Sequence, residues 1–128
     1  MAKILGVPAD TNSVEKAMAA ASIRPDTEFR DEDKTTRPWH YIDICLQDRE
    51  QDVAGRCPNG NCVTAKIDEY AHRLRDRDYD KWGAAGDLAF LIHFVGDIHQ
   101  PLQVTVAILP SLEHQRTGKL NQFVIISR

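Results

Sequence analysis

Residues 91–103 read LIHFVGDIHQPLQ. Most of the stretch is oily, yet it carries His93, Asp97 and His99 and runs into Pro101. Its segment LAFLIHFVGDI is apolar nearly all round, which predicts a helix over about 86–99, buried in the middle of the fold. Four residues on an α-helix advance about 40° past one full turn, so His93 and Asp97 project from one face. A buried aspartate is costly unless it is paired or bound to a metal. The pair therefore reads in two ways: a His–Asp hydrogen bond inside a core, or two ligands of a metal site. Pro101 is expected to end the helix, because proline lacks the donor and restricts the residue before it.

Working outward, the chain has 128 residues, enough for one domain over 1–128 with a modest core. No run of 18 apolar residues suggests a membrane span, and MAKILGVPAD at the start shows no apolar core of a signal peptide. Net charge is −3. A protein that gripped nucleic acid through phosphate contacts alone would be basic. If this chain handles phosphates, something besides lysine and arginine supplies positive charge, and a bound metal is the obvious source.

A first helix is expected over VEKAMAAAS (14–22), capped by Asn12 or Ser13 and ended before Pro25. The charged run 26–38 reads as a loop, and WHYIDI (39–44) as a short aromatic segment. A second helix follows the CPNGNC turn. Val63, Ile67, Tyr70, Ala71 and Leu74 form its apolar face, and Lys66, Glu69, Arg73 and Asp76 a solvated one. The tail after 102 is β-branched with little helical periodicity, and its FVIIS segment suits a strand. The class is mainly α with an irregular or β-like C-terminal tail.

Three cysteines leave at least one unpaired in any intramolecular scheme. Cys57 and Cys62 bracket a strong turn, so the residues themselves permit a small-loop disulfide or two free thiols. His40 after Trp39, and Asp26 upstream, add two donors to His93 and Asp97. Two histidines and two carboxylates make a plausible zinc shell, although sequence spacing does not place them together.

WHYID, the Cys-x4-Cys pair and FLIHFVGDIHQPL together resemble the zinc-dependent, single-strand-specific nucleases and 3′-nucleotidases. These are the S1/P1 nucleases of the phospholipase C–nuclease superfamily. The resemblance covers about 12–102, roughly the first half of a family member, with 103–128 a divergent tail and both ends reading as truncated. It implies a phospholipase C/nuclease-like helical fold, here partial, with three zinc ions in a cleft. It also implies cleavage of single-stranded DNA or RNA to 5′-phosphates, with no membrane partner, in proteins usually secreted or periplasmic.

Carried over by position, the resemblance implies one zinc held by Asp26, His40, His93 and Asp97, with Asp26 also orienting or deprotonating the attacking water. Tyr41 and Asp43 match nucleobase-binding positions, and Cys57 and Cys62 match a disulfide. The family's HQPLH ends in a ligand histidine where this chain has Gln103, and no aspartate follows Asp97. His114 is followed four residues later by Gly118 rather than an aspartate. The expectation is one zinc instead of three, and impaired hydrolysis. The rival readings are an inactive fragment that keeps one zinc and binds nucleotides weakly, and a metal-free helical interaction module.

Overall fold

A computed structural model describes residues 1–45, 48–106, 109–110 and 123–124. Within them the chain is mainly helical, as expected. The long helices are α2 (Thr11–Ser22), α4 (Val63–Asp76) and α5 (Gly83–Ile98). Three short ones are α1 (Ala2–Leu5), α3 (Glu28–Glu32) and α6 (Pro101–Val104). Helix α5 packs most extensively against α4 and then against α2, which places it at the centre. No helix among the described residues is long and apolar enough to cross a membrane.

The core of this packing is aromatic. Phe90 of α5 is fully buried, with its ring centroid 4.9 Å from Tyr70, 5.0 Å from Phe29, 5.0 Å from Trp82 and 5.8 Å from Trp39. Such offset and tilted ring contacts add to the burial of apolar area itself. Phe94 lies one turn further along, 5.5 Å from Phe90 and 5.4 Å from the His40 ring. The core thus runs up to the histidines. Toward the end of α5, Val95 and Gly96 face solvent, so the helix is buried over most of its length and open on one side here.

Several local expectations are corrected. Helix α2 starts at Thr11 and is capped by Asp10, whose carboxylate accepts the Ser13 N–H at 2.9 Å. An N-cap oxygen reaches the third helical amide, which Asp10 satisfies and Asn12 or Ser13, already inside the helix, do not. The charged run 26–38 is not a loop. It folds as a 3₁₀ turn (Arg24–Asp26), α3, and a longer 3₁₀ segment (Lys34–His40) that also takes in Trp39 and His40. Its helical turns carry the i,i+4 ion pairs Arg24–Glu28 and Asp26–Arg30, which support them modestly, and Phe29 anchors them in the core.

Lys66 does not stand on a solvated face. It is 9% exposed, with Nζ 4.2 Å from the Trp39 ring centroid and 2.6 Å from Glu69. A long aliphatic stem lets lysine bury its carbons against the indole while its ammonium stays paired. Pro101 does not end α5. That helix stops at Ile98 with His99 as C-cap, and Pro101 opens α6 at the position where a missing N–H costs nothing.

Strand is sparse. β1 (Ile44–Cys45) pairs in parallel with β2 (Thr105–Val106), Ile44 opposite Thr105. β3 (Leu109–Pro110) pairs antiparallel with β4 (Phe123–Val124). The strand expected at FVIIS is thus met at its first two residues, and the rest of it, like His114 and Gly118, lies outside the described residues. Cys57 and Cys62 form a disulfide, and Cys45 is a buried free thiol. Trp39 and Trp82 pack against the core. His72 and His99 are exposed and each hydrogen-bonds a carbonyl one turn back in its own helix, Asp68 and Val95.

Candidate functional site

Asp26, His40, His93 and Asp97 come from three separate elements and converge on one point. His93 and Asp97 share a face of α5, with His93 Nε2 3.1 Å from Asp97 Oδ2. His40, at the end of the Lys34–His40 segment, brings its Nδ1 within 2.9 Å of His93 Nε2 and 3.1 Å of Asp97 Oδ2. Asp26, closing the turn before α3, lies 3.5 Å from each imidazole, through Oδ1 to His40 and Oδ2 to His93. The ligand-capable atoms of Asp26, His40 and His93 all lie within 4.8 Å of one another.

These separations suit a small divalent ion. Ligands at about 2.0–2.1 Å in a tetrahedron stand roughly 3.3 Å apart along each edge. The chemistry of the donors agrees. His93 Nδ1 donates its proton to the Ser22 carbonyl at 2.5 Å, which leaves Nε2 as the ring nitrogen facing the cluster, free to act as a ligand when the imidazole is neutral. A backbone carbonyl that fixes the tautomer in this way is a common support for a metal-binding histidine. His40 Nε2 is buried without a hydrogen-bond partner among the described residues, so that ring makes its polar contacts through Nδ1, inside the cluster.

Burial sharpens the electrostatics. The side chains of His40, His93 and Asp97 are 4%, 10% and 13% exposed, whereas Asp26 is 46% exposed and forms the open wall. Burial alone would raise the Asp97 pKa, but hydrogen bonds from His40 and His93 outweigh it and hold the carboxyl below its ordinary value. For His93 burial acts downward, and the Asp97 hydrogen bond, the Ser22 carbonyl and the charges of Asp97 and Asp26 lift its pKa above the usual one. Asp97 is thus held as a carboxylate, and His93 is biased toward its protonated form.

Beside the cluster lies a cavity of about 510 Å³ whose walls include Asp26, His93 and Asp97 along with Ser22, Ile23 and Ile92. Its lining does not include Tyr41 or Asp43, which are half-buried just beyond His40. The structure therefore gathers the four proposed ligands, whereas Tyr41 and Asp43 do not line this cavity. Gln103 is brought beside the stretch that follows His40, because its carbonyl accepts the Ile42 N–H at 2.9 Å.

Two contributors were not found from the sequence. Arg30 forms an ion pair with Asp26 Oδ1 and puts a guanidinium at the open edge of the cluster. Its signal was the i,i+4 spacing, which carries no meaning while 26–38 is read as a loop. The Ser22 carbonyl has no sequence signal at all, since every residue has one.

The S1/P1 Nuclease family model matches residues 2–119 of this chain. Nuclease P1 of Penicillium citrinum is 34% identical over 76 residues, 54% of this chain and 27% of that protein. Nuclease S1 of Aspergillus oryzae is 29% identical over 82 residues, 59% of this chain and 27% of that protein. The chain thus spans about a quarter of the length of these curated relatives. No solved structure matches. With the match running over nearly all of its residues, the chain belongs to the S1/P1 nuclease family.

Proposed function

We propose that this chain holds one zinc ion through Asp26, His40, His93 and Asp97 and acts on phosphodiester bonds of single-stranded DNA or RNA, leaving 5′-phosphates. The observation that carries the reading is the convergence of two imidazoles and two carboxylates, each within 3.5 Å of both histidines. The Nuclease P1 and Nuclease S1 relatives give it a direction. Zinc bound there supplies Lewis acidity toward a phosphate oxygen and makes a nearby water more acidic.

The residues divide the remaining work. His93, steadied by the Ser22 carbonyl, and the buried His40 hold the geometry. Asp97 supplies buried negative charge between them. Asp26 is the exposed member and faces the cavity, where its carboxylate can orient a water and take its proton. Arg30, resting on Asp26, offers a guanidinium to the phosphate as negative charge builds up, and so lowers the barrier electrostatically. Tyr41 and Asp43 are proposed to contact a nucleobase, the phenol ring by stacking and the carboxylate by accepting from amino groups.

A second reading is favoured by Gln103. An amide is a poor zinc ligand, and it stands where the resembling nucleases carry a histidine. On this reading the chain keeps one zinc and binds nucleotides without turning them over. One experiment separates the two: zinc content after dialysis, followed by incubation with denatured and native DNA. One zinc per chain with slow cleavage of denatured DNA, absent in His93→Ala, supports hydrolysis. One zinc without cleavage supports binding only. A folded chain that retains no zinc refutes both.

A further inference from the structure

We propose that Lys34 and Arg37 form a phosphate track that leads a single strand to the cluster, an inference that rests on the nucleic-acid reading above. The observation is the Lys34–His40 segment itself. A 3₁₀ helix has about three residues per turn, so side chains at i and i+3 eclipse. Lys34, Arg37 and His40 therefore share one edge of the segment. Burial follows the same period: Thr36 is fully buried, flanked by half-buried Asp33 and Trp39 on the edge that faces the core. On the other edge Lys34 and Arg37 are exposed and His40 is buried. The edge that delivers an imidazole into the cluster thus continues outward to solvent as two cations.

Their charge is also available. The neighbouring cations are each committed to a carboxylate: Arg24 to Glu28, Arg30 to Asp26, Lys81 to Asp33 and Lys66 to Glu69. Neither Lys34 nor Arg37 has an ion pair or hydrogen bond through its side chain among the described residues. In a protein of net charge −3, Lys34 and Arg37 are two exposed cations on the segment that supplies His40, directly after the acidic run Asp31–Asp33. Eclipsed positions stand about 6 Å apart along the axis. Long side chains at that interval can each take one phosphate of a strand whose scissile bond lies at the cluster. A mononucleotide, which has one phosphate, has nothing to lay along the track.

The test measures binding, not cleavage. The full chain in zinc-supplemented buffer is titrated with a labelled ten-nucleotide oligothymidylate made with phosphorothioate linkages, and separately with 5′-dTMP, over a range of salt. The comparison is a Lys34→Ala/Arg37→Ala double variant, whose substitutions lie on the surface, and a charge-keeping Lys34→Arg/Arg37→Lys variant. Each phosphate contact adds about 0.7 to the salt slope for a single strand. Removing two should lower the slope by about 1.4, or roughly 60-fold in affinity at 0.05 M salt, taking the contribution to vanish at 1 M. Binding of 5′-dTMP should be unchanged, and the charge-keeping variant should match the wild type. An oligonucleotide slope equal in the wild type and the alanine variant overturns the track and leaves the nucleic-acid reading standing. Equal losses for oligonucleotide and mononucleotide also overturn it. Failure of the wild type to bind the oligonucleotide overturns the nucleic-acid reading and the track with it.

Discussion

Val63 donates its backbone N–H to the Tyr41 carbonyl at 3.0 Å, and so fastens the start of α4 to the residue that follows His40. Cys62, immediately before Val63, is fully buried and tied to Cys57 by the disulfide. The small covalent loop thus braces the strand of chain that carries the cluster's histidine. Replacing both cysteines with serine should lower stability by about 2 kcal/mol on the chain-entropy model. Denaturant titration measures this. Thiol titration of the denatured, unreduced protein should count one free cysteine, Cys45; three would show that the loop is open in solution.

His93 is the hinge of the cluster, since it touches His40, Asp26, Asp97 and the Ser22 carbonyl. His93→Ala should abolish zinc retention, measured by elemental analysis after dialysis. It should also destabilise the fold by about 3–5 kcal/mol, because Asp97 loses a partner inside the protein. A variant as stable as the wild type would mean that Asp97 is not held by this pair.

Tyr41 lies half-buried next to His40 in the chain, outside the lining of the cavity beside the cluster. Tyr41→Ala should weaken 5′-mononucleotide binding by about 1–3 kcal/mol, the usual scale for base–aromatic stacking. Calorimetric titration giving the same affinity for both proteins removes Tyr41 from the site.

Gly86 is buried in α5 where an added Cβ would overlap Trp82 Cβ, with the Phe29 ring 3.6 Å away. Glycine to alanine within a helix ordinarily stabilises by about 1 kcal/mol. Here the sign should reverse. Trp82 packs against both Phe29 and Phe90, so moving it disturbs the aromatic core, and Gly86→Ala should cost about 1–3 kcal/mol, as overpacking does. A raised melting temperature would contradict this packing.

Asp33 opens the Lys34–His40 segment and ties it to the start of α5. Its carboxylate takes a 2.5 Å hydrogen bond from Lys81 Nζ, then two more from Thr35. Together they bring its pKa from 3.8 down to about 2. A depressed carboxylate stabilises the fold above its unfolded pKa, and that contribution fades as pH falls from about 4 toward 2. Asp33→Asn should flatten this part of the stability–pH curve. Carboxyl NMR should place the Asp33 midpoint clearly below those of exposed aspartates, and a midpoint near 3.8 would disprove the clasp.

The sequence by itself determined the central helix, its buried character, and the one-turn pairing of His93 with Asp97. Those features follow from periodicity, which is local and needs no tertiary information. It also carried the family resemblance, and through it the four proposed ligands. The boundaries were less legible: Pro101 looks the same whether it ends one helix or opens the next, and 26–38 lacks a long apolar stripe. Only the tertiary structure decided that Asp26 and His40 meet the α5 pair, because two chain segments far apart in sequence are brought together by the packing of Phe29, Trp39 and Phe90. Only it revealed Arg30 on Asp26 and the Ser22 carbonyl on His93. The first depends on a helical turn too short to show periodicity, and the second on a backbone group that every residue shares.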